Sequence, residues 1–304
     1  MRRNSVNTLT TLERRGMAAI STPGGKMLVV AADQRNGMKA VMNDAPDGPG
    51  SISAEQLYDA KADLVRYLGN AAPAILLDPE IAIPRVADEG VLSRDTALVV
   101  GLDASGFDTV DGLRYTNFVP GMSPRKVRDL GGDVAKMLWY MRPDLQDAGS
   151  RVADEIRDLV TACTEEGLLL IVEILVYRLE DESEEDYSAA FPRLVADAAR
   201  LSAECGAKVL KLQYPGSADA SAAVTEAAAG VPWAVLSAGV DHETFIQQVE
   251  TAVANGAGGA MAGRSLWKDS LAVSSETRKQ LLTTRALPRL QQLEAVLDGT
   301  LVAS

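Results

Sequence analysis

The stretch Ala207-Lys208-Val209-Leu210-Lys211-Leu212-Gln213-Tyr214-Pro215 lies between Gly206 and Gly216, which is how a short strand between two chain reversals reads. Side chains alternate along a strand, so Val209, Lys211 and Gln213 share one face and Leu210 and Leu212 the other. A lysine inside such a strand needs a reason, because burying an ammonium costs on the order of several kcal/mol unless it is paired or loses its proton. Two readings are open on this stretch alone. Lys211 is either a strand-edge residue whose charged end reaches water, or an amine kept available as a nucleophile for a carbonyl carbon.

The same phrasing recurs on both sides: a short apolar strand, a loop, then an amphipathic helix. Strands are predicted at Met27–Ala32, Ala74–Leu77, Ala97–Val100, Val134–Tyr140, Leu168–Glu173, around Lys211, at Trp233–Leu236 and at Gly259–Ala262. Helices are predicted after Ser53, after Ser123-Pro124, over Asp144–Glu166, after the acidic run Glu180–Asp186, and over Ser217–Ala229, Asp241–Ala254 and Ser275–Leu297. The span between the third strand and Ser123 is rich in Gly and Asp and reads as a long loop. Eight strand–helix units with strands apolar throughout predict a parallel sheet buried on both faces, and eight closes a barrel. The fold class is therefore α/β, a single (β/α)8 TIM barrel over residues 1–304, with residues 1–25 as an N-terminal helical extension. The basic, hydroxyl-rich segment Met1–Met17 superficially resembles a transit peptide. Leu9, Leu12 and Met17 instead share one helical face, which favours a short helix packed on the domain.

Composition removes whole classes of function. The 304 residues carry a formal net charge of −12, a surface that repels phosphodiester backbones and argues against nucleic-acid partners. No apolar run is long enough for a membrane span. Cys163 and Cys205 have no ligand spacing and read as reduced thiols of a cytoplasmic protein. His242 is the one histidine of the chain, which argues against a multi-histidine metal site and a Ser-His-Asp triad. No metal and no cofactor is expected, and the chemistry falls to lysine, carboxylate, arginine and backbone.

In this fold the reactive groups collect at the C-terminal ends of the strands. There the chain places Asp33 and Gln34, Asp78, Lys136, Glu173, Lys211, Ser237 and Arg264. Two lysines and a glutamate projecting into one barrel must neutralise one another. As a working set, Lys211 supplies the amine, Lys136 disfavours its protonation as a neighbouring like charge, and Glu173 moves protons. Asp33 and Gln34 are candidates for orienting substrate hydroxyls. After the seventh and eighth strands, Ser237-Ala238-Gly239 and Ala262-Gly263-Arg264 stand where barrels bind phosphate. Ser237, Gly239, Gly263 and Arg264 are the candidate anion binders, glycine admitting the anion to the backbone and arginine forking to two oxygens.

The segments Ala32-Asp33-Gln34-Arg35, Asp133-Val134-Ala135-Lys136, Glu173-Ile174-Leu175, Val209-Leu210-Lys211, Leu236-Ser237-Ala238-Gly239-Val240 and Ala262-Gly263-Arg264 resemble the tagatose 1,6-bisphosphate aldolase and sulfofructosephosphate aldolase family. These are class I barrel aldolases, and the region Ser237–Trp267 is slightly closer to the sulfofructosephosphate branch. The resemblance implies a metal-independent lyase that cleaves a ketose 1-phosphate bearing a second terminal anion into dihydroxyacetone phosphate and a three-carbon aldehyde. It implies Lys211 as the Schiff-base lysine, a covalent imine in place of a cofactor, with Glu173 as acid/base, Lys136 as its companion, and Ser237 and Arg264 as anion binders. Homo-oligomerisation is implied as well. Where relatives carry an acidic residue this chain has Gln213, which leaves the site one charge short. Two other readings remain, a phosphate-binding barrel isomerase with Glu173 as base and a non-catalytic sugar-phosphate-binding regulator.

Overall fold

Strand β1 (Met27–Ala32) shows how the barrel is built. Met27, Val29 and Ala31 belong to one packed cluster with Ala74, Leu76, Val99, Val134, Leu169, Ile171 and Val209, and this cluster fills the barrel interior. Leu28, Val30 and Ala32 belong to a second cluster shared with the surrounding helices. Both faces are thus apolar and buried, the burial that parallel strands under a helical layer require.

The computed structural model describes residues 8–42 and 48–300. After β1 come β2 (Ala74–Leu77), β3 (Ala97–Gly101), β4 (Asp103–Val110), β5 (Leu113–Phe118), β6 (Val134–Met141), β7 (Leu169–Val176), β8 (Val209–Gln213), β9 (Trp233–Leu236) and β10 (Gly259–Ala262). Eight of these close in the order β1-β10-β9-β8-β7-β6-β3-β2, while β4 and β5 pair only with each other. Every barrel pairing is parallel. The protein is a TIM barrel, as the eight strand–helix units predict.

The N-terminal helix Thr11–Ala19 closes the floor. Thr10 and Glu13 form a capping box, and Gly16 lies so close that a Cβ there would come within 3.2 Å of Leu169 Cβ. Glu13, buried, pairs with Lys208 Nζ at 2.5 Å, and Lys208 also donates to Thr164 at 2.9 Å. Leu9 and Met17 pack against the interior cluster. Leu12, expected on the same face, is half exposed. The first seven residues of the expected extension lie outside the described residues.

Three expectations need correction. The long loop before Ser123 is mostly a hairpin, β4–β5, turned through Asp111 (φ 52°) and Gly112 (φ 77°), the left-handed Asp-Gly pair of a two-residue turn. The helix expected from Asp144 begins at Arg151, because Arg142 draws Asp144 and Glu182 into a cluster at 2.8 and 2.6 Å that holds the preceding residues in a loop. The final helix from Ser275 contains a π segment, Leu282–Ala286, just before Pro288, whose missing N–H and ring disturb the preceding turn. His242 bonds Gln292 on that final helix at 2.9 Å. Cys163 and Cys205 are buried and unpaired with each other.

Candidate active site

The inward row of each barrel strand is apolar for its first residues and then turns polar at one height. Val134 is followed inward by Lys136, Ile171 by Glu173, Val209 by Lys211, and Ala31 by Asp33. These four residues line a cavity of about 510 Å³ at the C-terminal end of the barrel, together with Gln34, Ser237, Gly239, Gly263 and Arg264. All nine site residues expected from the sequence therefore meet in one cavity.

Charges at its base are arranged around two ammonium groups. Lys136 Nζ lies 3.0 Å from Asp33 Oδ2, 2.9 Å from Asp103 Oδ1 and 2.7 Å from Glu173 Oε2. Lys211 Nζ lies 2.9 Å from Glu173 Oε1. Glu173 and Lys211 are register partners on β7 and β8, so the pairing of the strands itself sets this contact. Lys136, Glu173 and Lys211 are 2 %, 7 % and 4 % exposed, which removes these ion pairs from solvent screening. The expected bare repulsion between the two lysines is replaced by a bridge, with Glu173 standing between them.

Burial opposes the charge on Lys136, but Asp103, Asp33 and Glu173 outweigh it and hold its pKa well above the ordinary lysine value. Burial likewise acts to raise Asp33, yet Lys136 and Lys211 hold that carboxyl well below the usual range. Asp103 goes the other way: burial, helped by Asp33 and Glu173, keeps it raised despite Lys136. The cation at the centre of the three carboxyl groups is thus Lys136, whose charge they favour.

Sequence reasoning missed Asp103. It opens the hairpin directly after β3, accepts the Leu138 N–H at 3.3 Å, and was legible as a strand-end carboxylate two residues beyond Gly101. Lys61 was missed as well. It sits on the apolar face of the helix Ala54–Tyr67 with Leu57 and Leu64; its Nζ reaches the carbonyls of Ala32 at 2.5 Å and Gln34 at 2.9 Å. These two carbonyls flank Asp33, so Lys61 fixes the turn that presents it. Asp78, a strand-end candidate, does not line the cavity and serves as the counter-ion of Lys61 at 2.7 Å. Arg35 fastens the hairpin to β1, donating to Asp103 O at 2.9 Å and Ser105 Oγ at 3.1 Å. Asp33 Oδ1 and Gln34 Oε1 are buried without a hydrogen-bond partner among the described residues, two acceptors open to a donor in the cavity. Gln213 also lines the cavity and accepts the Val176 N–H at 2.8 Å, so its amide braces β7.

At the β9–β10 side Ser237 Oγ accepts the Gly263 N–H at 3.3 Å. Gly239 is left-handed (φ +83°), and a Cβ there would come within 3.1 Å of Arg264 Cζ; the guanidinium therefore lies over the glycine. Lys268 donates to Gly239 O at 2.8 Å. Arg264 has no carboxylate partner among the described residues, which leaves its donors available to an anion.

A buried amine bridged by a carboxylate, at the open end of a parallel barrel, is the equipment of an enzyme that works on carbonyl compounds. Residues 27–269 match the DeoC/LacD family aldolase model. The chain belongs to this family and is a class I aldolase, a lyase. It is 26 % identical over 321 aligned residues to tagatose 1,6-diphosphate aldolase 2 of Streptococcus agalactiae serotype III (strain NEM316), covering 96 % of this chain and 97 % of that one. To tagatose 1,6-diphosphate aldolase of Lactococcus lactis subsp. lactis it is 25 % identical, with the same coverage. The fold is shared with an archaeal fructose 1,6-bisphosphate aldolase (TM-score 0.62, 20 % identity, 95 % of this chain and 100 % of that one). It is shared too with a fructose-bisphosphate aldolase from Slackia heliotrinireducens DSM 20476 (TM-score 0.63, 16 % identity, 100 % and 96 %). No described helix is long and apolar enough to cross a membrane.

Proposed function

We propose that the protein cleaves a ketose 1-phosphate with a second terminal anion, 6-deoxy-6-sulfofructose 1-phosphate or tagatose 1,6-bisphosphate, into dihydroxyacetone phosphate and a three-carbon aldehyde. The observation that carries this reading is the bridge from Lys211 through Glu173 to Lys136. Glu173 takes a proton from Lys211 across 2.9 Å, and the neutral amine attacks the C2 carbonyl. The carbinolamine loses water with a proton from Glu173 and becomes an iminium. Glu173 then removes the C4 hydroxyl proton while the C3–C4 bond breaks, its electrons passing to the iminium as an enamine and the aldehyde leaving. Protonation of C3 and addition of one water release dihydroxyacetone phosphate and restore Lys211. Lys136 keeps its proton throughout and holds the three carboxylates in place. Asp33 and Gln34 orient substrate hydroxyls, and Ser237, Gly239, Gly263 and Arg264 hold the 1-phosphate.

The tagatose 1,6-diphosphate aldolases among the relatives support a substrate with anions at both ends; the Ser237–Trp267 segment resembles the sulfofructosephosphate branch slightly more. Within this reading the protein is a cytoplasmic homo-oligomer, which size-exclusion chromatography with light scattering tests. The deciding experiment is borohydride reduction in the presence of dihydroxyacetone phosphate, followed by peptide mapping. A stable adduct on Lys211 is expected. Clean phosphate-ligand binding without an adduct would overturn the aldolase mechanism in favour of a barrel isomerase or a non-catalytic sugar-phosphate binder.

A further inference from the structure

Arg114, near the start of β5, is a half-buried arginine that does not itself line the cavity but packs behind Tyr140, which does. Its guanidinium carbon lies 4.5 Å from the centre of the Phe107 ring, 4.6 Å from Tyr177 and 5.9 Å from Tyr140. These rings form a wall of their own, Tyr140 meeting Phe107 edge-on at 4.9 Å and Tyr177 at 6.0 Å. Its backbone N–H donates to Tyr177 Oη at 2.8 Å, but its side chain has no carboxylate or hydrogen-bond acceptor among the described residues. Aromatic faces attract a cation but satisfy none of its five N–H donors. Arg35, which does line the cavity, differs because Glu80 holds it at 2.8 Å.

Position gives the unsatisfied charge a use. In the ring of eight strands β6 stands opposite β10, with β9, β8 and β7 between them on one side and β1, β2 and β3 on the other. Arg264 follows β10, Lys211 is on β8, and Tyr140, the ring that belongs to both the cavity lining and the Arg114 cluster, ends β6. A ketose held by its 1-phosphate at Arg264 and its carbonyl at Lys211 extends toward Tyr140 and the hairpin. The floor it crosses carries Asp33, Asp103 and Glu173, so an anion at the far end needs a cation there.

We propose that Arg114 is the specificity-determining residue for the substrate's distal end, binding a terminal oxyanion, phosphate or sulfonate, with the free edge of its guanidinium. The rings fix the plane of the fork in advance, which lowers the ordering cost of bidentate binding. This inference rests on the aldolase reading of the same cavity.

The test compares kcat/KM for tagatose 1,6-bisphosphate and 6-deoxy-6-sulfofructose 1-phosphate with that for fructose 1-phosphate, which has no distal anion. Arg114→Gln is expected to lower the preference for the two-anion ketoses by about ten- to a hundredfold, and Arg114→Lys, which keeps the charge but loses the fork, to restore only part of it. Which two-anion ketose loses more identifies the anion. An equal loss on all three ketoses would make Arg114 a prop of the hairpin and overturn the inference, as would an unaltered protein with no preference for the second anion. Borohydride trapping with dihydroxyacetone phosphate, which lacks the distal end, separates the two levels. No adduct in the unaltered protein sinks the aldolase reading and this inference with it, whereas an adduct together with equal losses sinks this inference alone.

Discussion

Glu173 and Lys211 face each other as register partners on adjacent parallel strands, 2.9 Å apart and nearly sealed from solvent. Strand pairing, rather than a flexible loop, sets the spacing of the carboxylate and the amine, the rigidity that the proposed proton transfer requires. Glu173→Gln keeps the shape and removes the carboxylate that we propose as the base. We expect kcat to fall by about a hundred- to ten-thousandfold, with borohydride trapping slowed in parallel. Trapping at the unaltered rate would move the proton-transfer role to another residue.

Lys136→Met leaves Asp33, Asp103 and Glu173 buried around an apolar end. Removing one partner from a buried ionic cluster costs about 3–5 kcal/mol, so a marked drop in urea midpoint is expected along with loss of turnover. Lys136→Met combined with Asp103→Leu should recover part of the stability and none of the activity. A single variant as stable as the unaltered protein would show that Lys136 does not neutralise the cluster.

Asp33 and Asp103 flank one ammonium yet shift in opposite directions, Asp33 lowered and Asp103 raised. A carboxyl with a lowered folded pKa contributes stability that is present above its unfolded value of about 3.9 and is lost as pH falls through the folded one. One with a raised folded pKa contributes below its unfolded value, and that contribution is lost as pH rises through the folded pKa. Asp33→Asn should therefore flatten the acid limb of Tm against pH, its deficit shrinking on acidification below about pH 4. Asp103→Asn should gain on the unaltered protein as pH rises from that range to neutral. Parallel curves for the two variants would contradict the assignment.

Gly239→Ala places a Cβ within 3.1 Å of Arg264 Cζ at a φ of +83°. Backbone strain of about 1–3 kcal/mol and a displaced guanidinium should raise KM for the 1-phosphate more than they lower kcat. Arg264→Ala should give the same KM-weighted loss. Unchanged kinetics in Arg264→Ala would remove the anion site from the β9–β10 loops.

Glu13→Ala tests the floor of the barrel against its mouth. It strands Lys208, which is 8 % exposed, at about 3–5 kcal/mol, and differential scanning calorimetry should register the loss. KM should stay within twofold of the unaltered value, since Glu13 belongs to the helix beneath the barrel.

Alternation made the barrel and the base of its site legible in advance. Each of Asp33, Lys136, Glu173 and Lys211 continues an apolar inward row by one step of two residues, so period and polarity together disclosed them. Asp103 escaped because the hairpin it opens was read as loop; the Asp111-Gly112 turn signal lay among other glycines and aspartates, and β4 is too exposed to show a buried face. Lys61 escaped for a different reason. A lysine in an amphipathic helix ordinarily reaches water, and only Asp78 with the carbonyls of Ala32 and Gln34, brought near by the fold, explains its burial. The start of the helix at Arg151 depended on Arg142 and Glu182, 40 residues apart in sequence, a distance that local pattern does not span.

The hairpin has a root and a tip of different kinds. At its root Asp103 accepts from Lys136 and from the Leu138 N–H and is itself tied down by Arg35, so shortening the insertion back to β3 would take an acceptor from both. At its tip Val110 to Leu113 hold a tight turn in open solvent. For anyone recasting this barrel for new aldehydes, the tip is the place to graft and diversify, and a swap must keep at its first position an acceptor for Lys136 and the Leu138 N–H.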